Sequence, residues 1–170
     1  STRNRTLFPY TTLFRSGVTA ANKVYDGVTT ATLGGSATIT VLGTDAVSLG
    51  GVGVGVFADK NVGTGKAVTV SGYSISGADA GNYTLVQPAG VTANITAASL
   101  AVTGAVAANK VYDATTAASL SGATITPLGT DAVTLVAGTG VFADKNVGTG
   151  KAVTVGGYSI SGTDAGNYTL

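Results

Sequence analysis

VFADKNVGTGKAVTVSGYSISGADAGNYTL, Val56 to Leu85, recurs as Val141 to Leu170 with two changes: Gly156 stands for Ser71 and Thr163 for Ala78. Within this stretch Val68 and Val70 share one phase of a period-2 alternation, while Tyr73 and Ile75 fall in the opposite phase. A one-residue slip of that kind calls for a bulge or bend, and Ser71-Gly72 (Gly156-Gly157 in the second copy) is where we expect it. Upstream the copies also share ANKVYD (Ala21 to Asp26, Ala108 to Asp113) and LGTDAV (Leu42 to Val47, Leu128 to Val133). The offset between copies is 87 residues at Tyr25/Tyr112, 86 at Asp45/Asp131 and 85 at Phe57/Phe142, so one residue is deleted in each of two intervening stretches. A repeat of this length is a whole small domain rather than a solenoid coil of about 20 to 50 residues. The sequence therefore predicts two tandem domains, 17–97 and 98–170.

Residues 1–16 stand apart from this pattern. They have no counterpart in the second copy and hold all three arginines, Arg3, Arg5 and Arg15. TLFPYTTLFRS, Thr6 to Ser16, resembles the translation of a common sequencing-library adapter, so residues 1–16 are expected to be an artefactual leader outside the fold. On that expectation the first repeat has lost its native opening strand, and the chain is an internal fragment.

From Gly17 onward the chain carries six lysines and eight aspartates and has no Arg, Glu, His, Cys, Met or Trp, a net charge of −2 against +1 for the whole chain. Nothing here forms a basic surface for nucleic acid. The strong helix formers Glu, Arg and Met are missing, while Val, Thr, Ile and Tyr favour pleated surfaces and Gly, Asn and Asp supply turns. The fold class is all-β. Without cysteine each repeat must rely on a Val/Ile/Leu/Ala core, and no apolar run approaches the ~20 residues of a membrane helix.

Along the first copy, Ser36 to Leu49 is expected to form a hairpin around Gly43-Thr44-Asp45. Gly53 to Phe57 should be a strand, Gly63 to Lys66 a hairpin turn, and Tyr83 to Ile95 a closing hairpin through Gln87-Pro88-Ala89-Gly90. Leu100 and Val102 should open the second copy. It ends at Leu170, so it should lack the closing strand and expose the edge Tyr168-Thr169-Leu170.

Asp79-Ala80-Gly81-Asn82-Tyr83, repeated as Asp164 to Tyr168, resembles the D-x-[AG]-x-Y corner of immunoglobulin-like domains. That resemblance implies a Greek-key β-sandwich in which the hydroxyls of Tyr83 and Tyr168 bond to nearby backbone. A β-grasp-like arrangement is the alternative fold. Lys23-Val24-Tyr25-Asp26-Gly27 and its counterpart Lys110-Val111-Tyr112-Asp113-Ala114, with ADKNVGTGKAVTV and SGADAGNYTL, resemble the YDG repeat domain of bacterial surface proteins such as filamentous-haemagglutinin-like adhesins. The resemblance spans essentially everything from Gly17 onward. It implies a secreted or surface-anchored protein whose repeats project a binding region from the cell. Ala114 departs from the pattern at the name-giving glycine, which puts the turn in doubt there.

The candidate residues are accordingly structural: Lys23, Tyr25, Asp26, Gly27, Asp79, Tyr83, Lys110, Tyr112, Asp113, Asp164 and Tyr168. No two aspartates lie within ten residues of each other in sequence, as a calcium loop would require, so no cofactor or metal is expected. With no Cys, His or Glu to act as nucleophile or tuned base, an enzyme is not expected either. The expected partners are neighbouring repeats of the same chain, with the host receptor open. The competing class is a weak glycan- or protein-binding module that acts by avidity on exposed Tyr and Asn side chains.

Overall fold

The structure is a computed structural model that describes residues 10, 11 and 13 to 170, with side chains described from Gly17 onward. It is all-β apart from two short 3-10 turns, Ala80–Asn82 and Ala165–Asn167. The chain divides into two compact units. Unit 1 runs up to Lys23 and resumes over Val28–Thr96; unit 2 combines Val24–Gly27 with Ala97–Leu170.

Unit 1 is organised around the strands Thr92–Thr96, Gly63–Ser76, Ser48–Phe57 and Thr30–Ala31, hydrogen-bonded in that order, with Lys23 on the outer side of Thr92–Thr96. Alternation along Gly63–Ser76 buries Val68 and Val70, then hands the half-buried positions to Tyr73 and Ile75. The expected slip is there, and its cause lies on the neighbouring strand. Gly51 pairs with Tyr73 and Val54 with Ser71, so Val52 and Gly53 together oppose the single Gly72. Gly72 takes φ 88°, and a Cβ there would stand 2.3 Å from the Val52 carbonyl oxygen, which is why the bulge requires glycine.

In unit 2 the corresponding pairs, Thr139 with Gly156 and Val136 with Ser159, keep one register throughout. The residue deleted between Asp131 and Phe142 is thus the extra residue of the bulge. The half-buried positions still change phase there, from Val153 to Tyr158 and Ile160, but without a ladder shift.

The core of unit 1 gathers Phe57, Val68, Val70, Val91, Ala93 and Ile95, with Phe57 and Ile95 the most deeply buried at 2% and 1% exposure. Four expectations about strand partners are corrected. Ala37–Thr40 pairs with Leu13–Ser16 rather than forming a hairpin with Ser48–Phe57. Tyr83–Thr84 runs parallel to Tyr10–Thr11, and Thr92–Thr96 pairs with Gly63, Lys66 and Ala67, so the two do not make a closing hairpin. Gly63 to Lys66 is strand rather than turn, bulged where the Gly65 N–H donates to Asn94 Oδ1 at 2.7 Å. Residues 10, 11 and 13 to 16, expected outside the fold, hold strand positions. Tyr10–Thr11 lies on Tyr83–Thr84 as Ala98–Ser99 lies on Tyr168–Thr169 in unit 2, so the opening-strand position of the first repeat is filled. Ladder hydrogen bonds use backbone alone, so a leader of any origin can take such a position.

Unit 2 repeats this plan in shortened form. Thr139–Phe142 lies between Ala117–Ala118 and Val153–Gly156, and Ser159–Ser161 pairs with Thr134–Val136. The counterpart of Thr92–Thr96 is not among its residues, and the consequence falls where that strand sits in unit 1. Residues 148–152, matching the strand residues Gly63 to Ala67, are not in a strand, and Phe142 is only half-buried. A groove of about 650 Å³ opens there, lined by Phe142, Gly148, Lys151 and Val153 with Val111 and Tyr112. The exposed edge is therefore Gly148 to Val153 and not Tyr168-Thr169-Leu170. Tyr168–Thr169 is paired, and the Leu100 N–H donates to the Thr169 carbonyl at 2.7 Å.

Ala114 keeps the turn that Gly27 makes. Gly27 has φ 78° and Ala114 φ 64°, the one non-glycine residue at positive φ among the described residues. A left-handed alanine costs about 1 kcal/mol relative to glycine. Ala114→Gly should raise the stability of unit 2 by about 0.5–1 kcal/mol in urea unfolding, and Gly27→Ala should lower that of the chain by a similar amount.

Candidate functional site

The residues shared most strictly between the copies assemble into one clamp per repeat. The 3-10 turn Ala80–Asn82 separates Asp79 from Tyr83, and both side chains reach the same distant turn, Leu42 to Val47. Asp79 Oδ2 accepts the Ala46 N–H at 2.8 Å. The Tyr83 hydroxyl donates to Asp45 Oδ2 at 2.5 Å while accepting the Leu42 N–H at 3.1 Å. The second copy reproduces each bond: Asp164 Oδ2 accepts the Ala132 N–H at 2.9 Å, and the Tyr168 hydroxyl donates to Asp131 Oδ2 at 2.7 Å and accepts the Leu128 N–H at 3.0 Å. The tyrosine hydroxyl does meet backbone, but about 40 residues upstream rather than nearby. The motif staples two remote segments instead of pinning a local corner.

This chemistry holds the tyrosines protonated. The hydrogen bond to the Asp45 carboxylate raises the Tyr83 phenol above its ordinary range, and desolvation together with Asp131 does the same for Tyr168. A raised folded-state value means that the clamp contributes fully below the unfolded tyrosine value of about 10 and is lost as pH rises through the folded value. Urea midpoints should therefore fall more steeply above pH 10 in the unaltered chain than in a Tyr83→Phe, Tyr168→Phe double variant. At neutral pH Tyr83→Phe should cost about 1–2 kcal/mol, because Asp45 loses a donor and the Leu42 N–H its acceptor. A neutral substitution would show that the clamp carries no load.

The KVYD segment divides its side chains. Lys23 Nζ donates to the carbonyls of Val28 and Thr30 at 2.6 and 3.0 Å and stands 5.4 Å from the Phe57 ring centroid, a cation-π distance. Lys110 does the same work in the second copy, at 2.8 Å from the Thr115 carbonyl and 5.7 Å from the Phe142 ring, and adds an ion pair with Asp113 at 2.7 Å. That ion pair, with the Thr115 N–H behind it, lowers the Asp113 carboxyl to about 2. Asp26 lies exposed at the surface.

Tyr25, with its neighbours Val24 to Gly27, belongs to unit 2. It is 2% exposed, donates to Asp131 Oδ2 at 2.6 Å and meets the Tyr168 ring edge-on with centroids 5.4 Å apart. Asp131 thus accepts two phenols. Tyr112, at the equivalent place in the second copy, is 55% exposed.

The structure brings Tyr25 to Tyr168 and Asp79 to the neighbourhood of Tyr83, and it keeps Lys23 and Lys110 on their own turns. Sequence reasoning missed Asp45 and Asp131, the acceptors at the centre of each clamp. Their signal was present, since LGTDAV is shared between copies, but a shared turn does not say what grips it. Also missed were Lys66 with Asp59, 2.7 Å apart, and the matching pair Lys151 and Asp144; each lysine lowers its partner carboxyl.

The family model described as YDG domain matches residues 9–93 and again 96–170. No curated protein and no solved structure matches the chain. Both copies of the repeat, clamp and KVYD segment included, fall inside the matched ranges, and on that ground the chain belongs to the YDG domain family.

Proposed function

We propose that the chain consists of structural stalk repeats of a bacterial cell-surface or secreted adhesin, non-enzymatic and extracellular, which project a binding region from the cell. The observation that carries this reading is where the shared polar side chains point. Asp79, Tyr83, Lys23 and their counterparts spend their hydrogen bonds on backbone and carboxylates within the protein. A recognition surface would instead present them to solvent. Residues kept identical for internal bracing fit a module whose task is to hold its own shape under load. The buried tyrosines argue in the same direction, because Tyr25, Tyr83 and Tyr168 each cap a core rather than pairing on an exposed face.

The finer architecture we assign to each unit is an immunoglobulin-like Greek-key sandwich. The D-x-[AG]-x-Y clamp and the non-consecutive strand order of the main sheet support it. Neighbouring repeats are the partners this reading names.

Single-molecule stretching tests it. Each folded repeat should give a discrete unfolding peak that lengthens the chain by roughly 250–300 Å, the extended reach of about 80 residues. Gradual extension without peaks would remove the stalk reading. Selective capture of one glycan or one host protein by a tandem array, lost on changing Tyr112, would replace it with the avidity reading.

A further inference from the structure

The two KVYD tyrosines are one side chain in two states. Tyr25 comes from the first copy of the sequence and completes unit 2: buried, hydrogen-bonded to Asp131, its ring against Tyr168. Tyr112 follows the same local sequence and the same positive-φ turn, held by the corresponding bond from lysine to the carbonyl after that turn, yet it is 55% exposed and its neighbour Val111 is 88% exposed. A large amphipathic side chain presented on a braced turn, with a hydroxyl to satisfy, is poised to be buried. What would bury it is shown by Tyr25: a carboxylate already holding one tyrosine, with that tyrosine's ring as the wall.

We propose that the KVYD tyrosine is an inter-repeat plug, inserted by each repeat into the Asp/Tyr pair of the repeat that follows it, and that the occupant matched to Tyr112 is the Asp131/Tyr168 equivalent of a further copy. The chemistry is self-recognising because plug and socket are both written into every copy. Lys23 and Lys110 fix the turn that presents the plug, and LGTDAV with DAGNY builds the socket. Asp131 accepts two phenols at 2.6 and 2.7 Å, whereas among the described residues Asp45 accepts one, from Tyr83. An array linked this way couples each repeat to its neighbour, so that stability becomes a sum of repeat and interface contributions. The proposal needs only tandem repeats and does not depend on the adhesin reading.

Tyrosine nitration by tetranitromethane, located by mass spectrometry, tests it. Three chains are compared: the present one, one continued after Leu170 by residues 86–97, and one continued by residues 86–170, which adds a third repeat. In the present chain Tyr112 should be nitrated rapidly and Tyr25 slowly. The short continuation supplies only the missing strand and should leave Tyr112 reactive. The long one should slow its nitration on the order of tenfold or more, because reaction then requires local opening. Changing the added repeat's counterpart of Asp131 to alanine should restore much of the rate. Equal reactivity of Tyr112 in the short and long continuations would overturn the proposal, whether both are fast or both slow. Independently of the added repeat, Asp131→Ala in the present chain should raise the nitration of Tyr25 by a similar factor and leave Tyr112 unchanged; an unaltered Tyr25 would equally overturn it.

Discussion

Continuing the chain after Leu170 with VQPAGVTANIT, the sequence that follows Leu85, should stabilise unit 2 by about 4 kcal/mol or more. In unit 1 that segment supplies Val91, Ala93 and Ile95 to the core, at 9%, 4% and 1% exposure. Burying a Val or Ile side chain contributes about 1.5–3 kcal/mol, and the ladder with Gly63 to Ala67 converts loop backbone into strand. The groove at Phe142, Gly148, Lys151 and Val153 is the seat such a strand would take. Native-state hydrogen exchange should show new protection at Gly148 to Val153, while Tyr168 and Thr169, already paired with Ala98 and Ser99, should change little. Unchanged exchange at Gly148 to Val153 would mean that the added segment does not dock there and that the two repeats differ in architecture. Without the added strand, the same edge invites pairing with another chain, so aggregation should decline in parallel.

Faces proved easier to read from the sequence than partners. The slip between Val70 and Tyr73 was legible because side-chain alternation has a strict period of two, and only a bulge or bend reverses it. For the clamp tyrosine, the resemblance of Asp79 to Tyr83 to an immunoglobulin-like corner implied a bond between the hydroxyl and nearby backbone; the backbone it meets is remote, and the carboxylate it donates to was not foreseen. The hairpins assigned to Ser36–Leu49 and Tyr83–Ile95 failed for one common reason: alternation and turn residues show that a strand exists, not which strand lies beside it. Ala37–Thr40 and Thr92–Thr96 both pair with segments more than 20 residues away, and a short turn between two apolar runs is silent about such pairing. Asp45 and Asp131 were hidden for the same reason. The glycine missing at Ala114 misled in the other direction. A non-glycine residue suggested an altered turn, but Lys110, with its bonds to Asp113 and Thr115, holds Ala114 at φ 64° against its local preference.

Identical substitutions at the two equivalent phenylalanines should give unequal losses. Phe57 is 2% exposed, in the same sheet as the strand that carries Ile95, and overlaid by Lys23. Truncating such a side chain removes its burial and leaves a cavity, so Phe57→Ala should cost about 3–5 kcal/mol. Phe142 occupies the same place in the repeat beneath Lys110, but it borders the groove and is only half-buried. With water already at its edge, Phe142→Ala should cost about 1–2 kcal/mol, since the surroundings lose less contact and no closed void forms. Once VQPAGVTANIT is appended, the loss at Phe142 should rise toward that at Phe57. The difference between the two Phe142→Ala values, with and without the appended strand, is a coupling energy between the ring and the strand. A coupling near zero would show that Phe142 is not the floor of the strand's seat, even if the strand itself were found to bind. The comparison thus tests whether the two repeats share one core or merely one sequence.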